Sequence, residues 1–428
     1  MNKTDNRLIC SDEKRAAIKA TRLATASKRK NQICKVFECK IVEKRLNNKQ
    51  HEELDMLFVE GKWFYNHVLN LHHSGLSLKD INSTKIKEIN KFNKNNEKET
   101  TKLNFIGSQQ KQAIITRMIS NEKTIMTLVK KGLQKYGNLQ FKSELNCIPL
   151  KQYGISYRFK SFNKVKIQGI SGTVLVRTGS QLQIADELAN ANLIKKPDGY
   201  YLKVTAYINK ENYNQIETNG KEIGLDFGIK TNITTSEGEK LDVSVEESDR
   251  LKKLQRELFR KVKGSNNRYK TIKKIQREYQ KLSNKKQDKA NKIVSKLKRY
   301  ETIVIQDEQI SNWHCGQFGK QVQHSCMGLI KSKLKQLQQT IILDKWIPTT
   351  KWCPRCGTIN KYITLNDRIY KCGCGYESDR DVHSANNMIT IKNLILTSIS
   401  VPMERRELTL EEFKTAVKDS NIFNKSER

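Results

Sequence analysis

The sequence predicts an α+β protein built from several domains, and three observations support this prediction. The chain has 428 residues, which is enough for two or three domains with substantial cores. Segments with the apolar spacing of helices are followed by short β-branched segments bounded by Gly, Asn and Ser. Four of the ten cysteines crowd into 22 positions, which is typical of a metal-binding insertion.

The strong positive charge limits the classes of partner. The chain carries 80 Lys and Arg residues against 45 Asp and Glu residues, a net charge of +35. Such a field favours a polyanionic partner, with nucleic acid ahead of a membrane surface. No apolar run approaches the roughly 18 to 20 residues that cross a bilayer, and the polar amino terminus lacks the apolar core of a signal peptide. We therefore expect a cytoplasmic, nucleoid-associated protein with no membrane partner.

The amino-terminal third predicts a basic arm, one strand and two helices. Residues 1–33 are rich in Lys, Arg, Thr and Ala, so they predict a short helix or a flexible arm. Alternation over 36–44 predicts a strand. Helical spacing of apolar residues begins at His51 and returns over 109–136, whereas the Lys- and Asn-rich stretch 77–102 predicts a loop.

The next segment predicts a small antiparallel barrel. Its strands are expected near Ile148 and over 165–170, 173–176 and 200–208, where β-branched residues lie between turn residues. The Lys-Lys-Pro-Asp-Gly run at 195–199 predicts a hairpin turn. Together with the early strand, these segments would form a barrel that the helical region interrupts.

An acid in the middle of a strand is the first candidate site residue. Over 221–230, apolar residues alternate with Gly224, Asp226 and Gly228, which is the period of a strand with one packed face. A carboxylate there is disfavoured unless something compensates it. The two glycines would let a ligand or another backbone approach it closely. The turn at 236–239 leads to more strand, which is how an RNase H-type sheet begins.

Residues 249–299 predict a pair of basic helices. They contain 20 Lys and Arg residues but only 4 Asp and Glu residues. Apolar residues at helical spacing form one seam along each helix, and in the first helix this seam is expected to extend to Val262. The Gly-Ser-Asn-Asn run at 264–267 separates the helices. Such an excess of like charge repels itself without counterions, so we predict a nucleic-acid track. Its candidate contact residues are Lys252, Lys253, Arg256 and Arg260.

A second acid follows another predicted strand. Residues 301–305 are β-branched and run into Asp307 and Glu308, ahead of a helix expected over 328–343. Strand parity places the two acids on opposite faces. The residues alone therefore leave open which of them lies beside Asp226.

A third acid, Asp381, begins the helical segment after the cysteines. Clustered carboxylates hold two Mg²⁺ ions roughly 3.5 to 4 Å apart in phosphodiester hydrolysis. Asp379 competes with Asp381 for this third position, and Arg380 between them would contact a phosphate or pair with Asp379. The third acid of the set is an Asp. A DDE-type transposase is expected to have a Glu there, so the order of the acids suits a RuvC-type nuclease.

The cysteine cluster predicts a zinc site. A CxxC knuckle and a CxC knuckle are separated by 15 residues, and their ligands are Cys353, Cys356, Cys372 and Cys374. Four thiolates at these spacings can bind one tetrahedral Zn²⁺ with Zn–S distances of roughly 2.3 Å, and such a zinc is structural because no position stays open. A redox pair is the alternative, and the second pair argues against it. Gly357, Gly373 and Gly375 are expected to make the turns that bring backbone amides to the sulfurs.

At these residues the chain resembles the TnpB family and its descendants, the compact type V CRISPR effector nucleases. The matching segments are Ile-Gly-Leu-Asp-Phe-Gly at 223–228, Val-Ile-Gln-Asp-Glu at 304–308 with Trp313, the four cysteines, and Asp-Arg-Asp at 379–381 with Ala-Asn-Asn at 385–387. Weaker similarity covers 251–282 and 64–66, so the resemblance spans most of 35–395. Two positions depart from it, because Gln306 stands where many relatives have the acid and His383 replaces a common Asn.

The resemblance implies a bilobed protein of defined domains. A β-barrel wedge domain would carry an inserted helical recognition domain, and an RNase H-like RuvC domain would carry a zinc-ribbon insertion that binds target nucleic acid. The expected boundaries are 1–33 for the basic arm, 34–48 and 145–218 for the wedge, 49–144 for the recognition domain, 219–345 and 376–396 for RuvC, 346–375 for the ribbon, and 397–428 for a carboxyl-terminal tail.

The resemblance also implies an RNA-guided DNA endonuclease. A guide RNA would pair with target double-stranded DNA next to a short motif that the protein reads. Two Mg²⁺ ions would act at Asp226, Glu308 and Asp381, one Zn²⁺ would be structural, and Arg380 would join the basic helices in binding nucleic acid. The alternatives are a catalytically silent RNA-guided DNA-binding protein or repressor, and a transposase or resolvase that acts without RNA. The sequence leaves open a transposon or a CRISPR guide, and a monomer or a homodimer on one RNA.

Overall fold

The computed structural model describes residues 12–92, 98–135, 137–177, 179–212, 217–315, 317–364, 366–398 and 406–419. The chain divides into two compact units, Met1–Asn214 and Gln215–Arg428. None of the described helices combines the length and the apolar composition that crossing a membrane requires.

The first unit contains three helices and nine strands within its described ranges. The helices are α1 (Asp12–Lys30), α2 (Asn48–His73) and α3 (Ser108–Lys130). The strands are β1 (Gln32–Ile41), β2 (Glu88–Phe92), β3 (Lys98–Lys102), β4 (Cys147–Leu150), β5 (Tyr157–Ser161), β6 (Lys164–Ile167), β7 (Val174–Arg177), β8 (Glu187–Lys196) and β9 (Gly199–Asn209).

Seven of these strands form the antiparallel sheet that the sequence predicts. Their order is β4-β8-β9-β1-β7-β6-β5, and β8 turns into β9 at the expected hairpin, where Gly199 has a φ of +131°. Tyr157 on the last strand is buried, and its hydroxyl donates a hydrogen bond to the carbonyl oxygen of Ala189 on β8 at 2.8 Å. The sheet therefore curls back on itself into a nearly closed barrel.

A buried carboxylate joins the two long helices of this unit. Glu60 on α2 is almost fully buried and accepts hydrogen bonds from the backbone N–H groups of Asn104, Phe105 and Ile106, at 2.8 to 3.0 Å. These groups lie just before α3. Because three donors compensate the charge, the carboxylate fixes the entry of the chain into α3.

Two predictions in the first unit are wrong. The helix expected over 109–136 ends at Lys130, because Gly132 adopts a φ of +68° and turns the chain. The loop expected over 77–102 contains the hairpin β2–β3, whose Ile89 is buried. An apolar residue such as Ile89 among lysines and asparagines is too weak a pattern to predict a strand.

The second unit contains six helices and eight strands within its described ranges. The helices are α4 (Asp249–Phe259), α5 (Asn266–Leu297), α6 (Gly319–His324), α7 (Met327–Leu334), α8 (Arg380–Ser398) and α9 (Leu410–Asp419). The strands are β10 (Glu222–Phe227), β11 (Ile233–Thr235), β12 (Lys240–Leu241), β13 (Thr302–Gln306), β14 (Thr340–Leu343), β15 (Ile369–Lys371), β16 (Glu377–Asp379) and β17 (Glu407–Leu408).

A mixed six-stranded sheet forms the centre of the second unit, in the order β12-β11-β10-β13-β14-β17. β10, β11 and β12 are antiparallel, whereas β13, β14 and β17 continue the sheet in parallel on the other side of β10. The first strand of the unit, which carries Asp226, is thus a central strand. The expected turn at 236–239 joins β11 to β12, and Gly238 has a φ of +85°.

Three predictions in the second unit need correction. The helix expected over 328–343 ends at Leu334, and 340–343 is the parallel strand β14, whose β-branched residues pair with β13. The first basic helix ends at Phe259, so Val262 lies outside it and is exposed. The segment treated as a tail contributes β17 to the sheet and packs α9 into the core through Phe413.

Candidate active site and metal centre

A glycine in β10 lets helix α8 pack directly on the strand that carries Asp226. A Cβ atom at Gly224 would lie 1.9 Å from the carbonyl oxygen of Ala385 on α8, which is far closer than two atoms can approach. Gly224 therefore has the role that the sequence predicts, since it admits another backbone. At Gly228, a Cβ atom would lie 2.7 Å from the carbonyl oxygen of Thr231, which belongs to the following turn.

Asp226 lies among the other two predicted acids. Burial raises the pKa of its carboxyl to about 8, and the charges of Glu308 and Asp381 contribute in the same direction. The hydroxyl of Ser384 on α8 donates a hydrogen bond to Oδ1 at 2.9 Å and opposes the shift. The charges of two carboxyl groups from distant parts of the chain therefore both act on Asp226.

Glu308 follows β13 and is held by a buried lysine. The ammonium group of Lys331 on α7 donates to the backbone carbonyl of Glu308 at 2.7 Å and lies 4.0 Å from Oε2. Burial raises the pKa of Glu308 to about 7 and lowers that of Lys331 to about 8. Oε2 of Glu308 is buried and has no hydrogen-bond partner among the described residues. An acceptor in this situation fits a cation ligand.

Asp307 has a different environment. It pairs with Lys335, and half of its side chain is exposed, against 25% for Glu308. Its backbone N–H pairs with Leu343 on β14. Of the two acids that the sequence leaves open, Glu308 is the one whose charge acts on Asp226.

The third predicted acid lies at the start of α8 beside an arginine. Nη2 of Arg380 lies 3.1 Å from Oδ1 of Asp381. Asp379 caps the helix, because its Oδ1 accepts the backbone N–H groups of Asp381 and Val382 at 3.0 and 3.2 Å, and its Oδ2 pairs with Lys240. Arg380 thus pairs with Asp381 rather than with Asp379, and the capping role of Asp379 explains an acid at that position.

The acids are more widely spaced than the cysteines. Over the described ranges, the cysteine cluster is the one group of three or more candidate ligands whose atoms all lie within 4.8 Å of one another. A pair of ions about 3.5 to 4 Å apart needs carboxylates around a larger volume than a single ion does. The donor set of three carboxyl groups, one with an orphaned oxygen, fits hard divalent cations.

The four cysteines converge as the sequence predicts, and the cluster could bind zinc. The sulfurs of Cys353 and Cys374 are 3.7 Å apart, and those of Cys356 and Cys372 are 3.5 Å apart. Ligands about 2.3 Å from a tetrahedral Zn²⁺ are separated by roughly 3.8 Å. Burial raises the pKa of Cys353, whereas nearby backbone N–H groups lower it, so amides do approach this sulfur.

Two of the three glycines in the knuckles make the expected turns. Gly357 and Gly375 have φ values of +74° and +83°. Their backbone N–H groups donate to the carbonyls of Cys353 and Cys372 at 2.9 and 3.0 Å. Gly373 is not among the glycines with positive φ. Its backbone conformation therefore does not require a glycine at this position.

The cysteine cluster packs on α8 through His383. The imidazole is buried and stacks on Tyr370, with ring centroids 3.9 Å apart, and Tyr370 lies two residues before Cys372. Burial lowers the pKa of His383 to about 4, so the ring is neutral at physiological pH. Its Nε2 lies 3.0 Å from the amide nitrogen of Asn387, whose two protons go to the carbonyls of Thr349 and Trp352. Where many relatives have an Asn, this chain therefore has a His383 ring that stacks on Tyr370.

The predicted basic helices form a hairpin with one apolar seam. Leu251 and Leu254 on α4 pack against Ile275 on α5. The turn between the helices is fixed by Arg268, which donates to the carbonyls of Leu258 and Lys261 at 2.7 and 3.3 Å. All four candidate contact residues, Lys252, Lys253, Arg256 and Arg260, are exposed.

Sequence reasoning missed several residues at the site. Ser384 and Lys331, which contact Asp226 and Glu308, were not singled out, and neither was Phe259, which is 88% exposed at the end of α4. A serine one helical turn after Asp381 was a usable signal for contact with the same strand face. A lysine in an amphipathic helix carries no such signal.

Two family models match the chain. Residues 205–313, which include Asp226 and Glu308, match the model described as a probable transposase of the OrfB_IS605 type. Residues 324–388, which include the four cysteines and Asp381, match the model of the Cas12f1-like TNB domain.

Two curated proteins are similar to the chain. One, from Streptomyces pristinaespiralis, is named as a putative RNA-guided DNA endonuclease and is 33% identical over 177 residues, which is 39% of this chain and 44% of the relative. The other, from Escherichia coli strain K12, is named as the putative RNA-guided DNA endonuclease InsQ and is 26% identical over 262 residues, 55% of this chain and 64% of the relative. Each match spans less than two thirds of the relative's length.

Proposed function

Because the family models and both relatives support assigning this chain to the TnpB family, we propose that it is an RNA-guided DNA endonuclease. The observation that carries the proposal is the grouping of Asp226, Glu308 and Asp381, in which two of the acids raise the pKa of the third. The names of the two relatives describe the same activity.

The sheet of the second unit supports a RuvC-type assignment of this activity. An antiparallel β10–β11–β12 set is continued by parallel strands β13 and β14 beside β10. This arrangement places the ends of β10 and β13 next to each other, so Asp226 and Glu308 lie on or just after neighbouring strands. Helix α8 crosses this sheet at Gly224 and adds Asp381. We propose that this unit is the RNase H-like nuclease domain.

We propose that the three acids hold two Mg²⁺ ions. Bound there, the ions would supply an activated water and stabilise the leaving oxygen of the phosphodiester. Lys331 fixes the backbone at Glu308, and Arg380 screens Asp381 from the other two acids. The raised pKa values of Asp226 and Glu308 mean that metal binding must displace protons from both groups.

The remaining partners follow from charge and from the cysteine cluster. We propose that the exposed bases of the α4–α5 hairpin contact the guide RNA or the target DNA, with the net charge of +35 supplying the long-range attraction. One Zn²⁺ at the four cysteines would hold the 353–374 module against α8.

The test is a cleavage assay with the RNA that copurifies from cells expressing the chain with its flanking locus. The RNA is sequenced, and double-stranded DNA carrying the matching target next to randomised flanks is incubated with the complex and Mg²⁺. We expect cleavage that needs the matching target, and we expect Asp226→Asn and Glu308→Gln to lose it while target binding persists. Asp307→Asn is the matched control, since that side chain pairs with Lys335, and it should still cleave.

The outcomes separate the hypotheses. Target binding without cleavage by the wild-type complex would favour the catalytically silent RNA-guided DNA-binding protein. A purified protein that carries no RNA and cuts DNA without it would favour a transposase or resolvase. Loss of cleavage in Asp307→Asn but not in Glu308→Gln would move the second acid to Asp307.

A further inference from the structure

Asp226 lies at the end of a buried row of polar side chains that reaches the neighbouring strand β13 through two hydroxyl groups. Oγ of Ser384 lies 2.9 Å from Oδ1 of Asp226 and 3.1 Å from Oγ1 of Thr349. Oγ1 of Thr349 lies 3.1 Å from Oε1 of Gln306, on β13. Ser384, Thr349 and Gln306 are all buried, so solvent does not compete for these bonds.

The direction of each bond follows from its surroundings. The amide nitrogen of Gln306 lies 3.2, 3.2 and 2.7 Å from the backbone carbonyl oxygens of Asp344, Lys345 and Ile347, and its two protons are shared among these three acceptors. Because three acceptors surround the nitrogen, the oxygen of Gln306 must face Thr349. A hydroxyl has one proton, and Thr349 gives it to this oxygen.

The same reasoning fixes the proton of Ser384. Ser384 has one proton for two neighbours, Asp226 and Thr349. In the proposed metal-bound state Asp226 is an ionised ligand that only accepts, so the proton goes to Asp226, and Ser384 and Thr349 then touch without a shared proton. The serine oxygen accepts in turn from Thr350, whose Oγ1 lies 3.4 Å away. Each hydroxyl group thus donates to one acceptor, Ser384 to Asp226 and Thr349 to Gln306, and the 3.1 Å contact between the two oxygens packs them together.

The segment that carries Thr349 is itself tied to α8. The amide nitrogen of Asn387 donates to the carbonyls of Thr349 and Trp352, both at 2.7 Å. Gln306 holds the same segment from the side of β13 through Ile347. Thr349 is therefore fixed from two directions, and it leads directly into the first cysteine knuckle.

We propose that Ser384 is a positioning residue that sets the orientation of the Asp226 carboxylate for metal binding, and that Thr349, held by Gln306, keeps the Ser384 side chain in place. The inference rests on the proposed function, because it assigns these residues to the metal site of that nuclease. The donated bond holds Oδ1 in one place and thereby defines the direction of the second oxygen. The same hydrogen bond offsets part of the electrostatic repulsion that Glu308 and Asp381 exert on an ionised Asp226.

The experiment compares metal binding in three variants of the protein–RNA complex. Ser384→Ala and Thr349→Val remove a hydroxyl with little change of volume, whereas Thr349→Ser keeps it. Mn²⁺ is titrated and bound ion is followed by electron paramagnetic resonance, in parallel with cleavage at each Mn²⁺ concentration. Removing a hydrogen-bond partner of a metal ligand typically weakens metal affinity about 10- to 100-fold. We expect this shift in Ser384→Ala, a smaller one in Thr349→Val, and wild-type affinity in Thr349→Ser.

The controls distinguish this inference from general damage and from failure of the proposed function. Thr390→Val removes an exposed hydroxyl from the same helix, which bonds to the carbonyl of Asn386, and should leave Mn²⁺ affinity unchanged. Excess Mn²⁺ should restore cleavage in Ser384→Ala, since the metal ligands remain. Wild-type Mn²⁺ affinity in both Ser384→Ala and Thr349→Val would overturn the positioning role. A wild-type complex that binds no Mn²⁺ would instead overturn the proposed function. If Ser384→Ala does not fold, the Thr349 pair decides the question.

Discussion

Gly224 and Ala385 are in backbone contact, because a Cβ atom on the glycine would lie 1.9 Å from the carbonyl oxygen of the alanine. The contact joins the central strand β10 to helix α8. It explains how Asp226 on the strand and Ser384 on the helix come within 2.9 Å. A side chain at position 224 would have to push the helix away.

We therefore expect Gly224→Ala to lower stability and to disturb the acidic site. Overpacking a well-packed core typically costs about 1 to 3 kcal/mol in the free energy of unfolding, and here the opposing atom is backbone. Chemical denaturation measures the loss. Gly328→Ala, in helix α7 with open space around its Cβ position, is the control and should be neutral or stabilising. Equal stability of both variants would show that α8 is free to shift.

We expect Gln306→Glu to destabilise the protein rather than to improve the active site. Its nitrogen shares two protons among three carbonyl groups, and a carboxylate would face them with no proton to give. Breaking such buried bonds typically costs about 1 to 3 kcal/mol or more. Thermal unfolding at neutral pH tests this, with exposed Gln309→Glu as the control. Higher cleavage activity in Gln306→Glu would show instead that position 306 can serve as the second acid.

The stability of the metal-free protein should fall with rising pH because of two acids. Burial raises the pKa of Asp226 to about 8 and that of Glu308 to about 7, whereas unfolded carboxyl groups titrate near about 4. The folded state therefore keeps protons that the unfolded chain has lost, so this stability is full below about pH 4 and is lost as pH rises through about 7 to 8.

Thermal unfolding in a chelator weak enough to leave zinc bound measures this effect. Between about pH 5 and about pH 9 the wild type should lose stability relative to Asp226→Asn, which cannot ionise. Added Mg²⁺ should reduce the difference in stability between the wild type and Asp226→Asn at high pH, since the ions compensate the negative charge of the ionised acids. A difference that does not change with pH would mean that Asp226 is already ionised throughout.

Zinc removal should loosen the contact between the cysteine module and α8. We expect one zinc per chain by elemental analysis and its loss in Cys353→Ser, because the fourth ligand completes the tetrahedron. Hydrogen exchange should then rise in β15 and in the first turn of α8, which meet through Tyr370 and His383. Cys326→Ser, at a buried thiol outside the cluster, should retain zinc. Wild-type protein without zinc would contradict the assignment.

The exposed bases of α4 should set the salt dependence of nucleic-acid binding. Changing Lys252, Lys253, Arg256 and Arg260 to Gln should weaken binding. The slope of log affinity against log salt should fall by up to about 0.7 to 0.9 for each phosphate that these side chains no longer neutralise. The control changes both arginines to Lys, which keeps the charge. An unchanged slope in the Gln variant would place the nucleic acid on another face.

The acids and the cysteines could be predicted because their local patterns are strong. Gly-Leu-Asp-Phe-Gly around Asp226 has the period of a strand, and two cysteine pairs at knuckle spacing predict a common ion. The choice between Asp307 and Glu308 could not be made from parity alone. It depends on Lys335, which pairs with Asp307, and on Lys331, which lies beside Glu308, and both lysines lie later in the chain, within or just after helix α7.

What the sequence could not supply depends on tertiary packing. The segment 340–343 has apolar residues compatible with helix or strand, and it becomes β14 because β13 offers a free parallel edge. Ser384 acquires its role through Gly224, which lies 160 positions earlier. Contacts between residues so far apart leave no local periodicity.

The carboxyl-terminal strand and helix limit how the chain can be shortened or fused. β17 pairs with β14, and Phe413 on α9 lies edge-on to the buried indole of Trp352, one residue before the first cysteine of the cluster. A truncation after α8 would uncover a sheet edge and one side of that tryptophan. Any miniaturised version of this protein should therefore keep residues 406–419 and place added sequences beyond them.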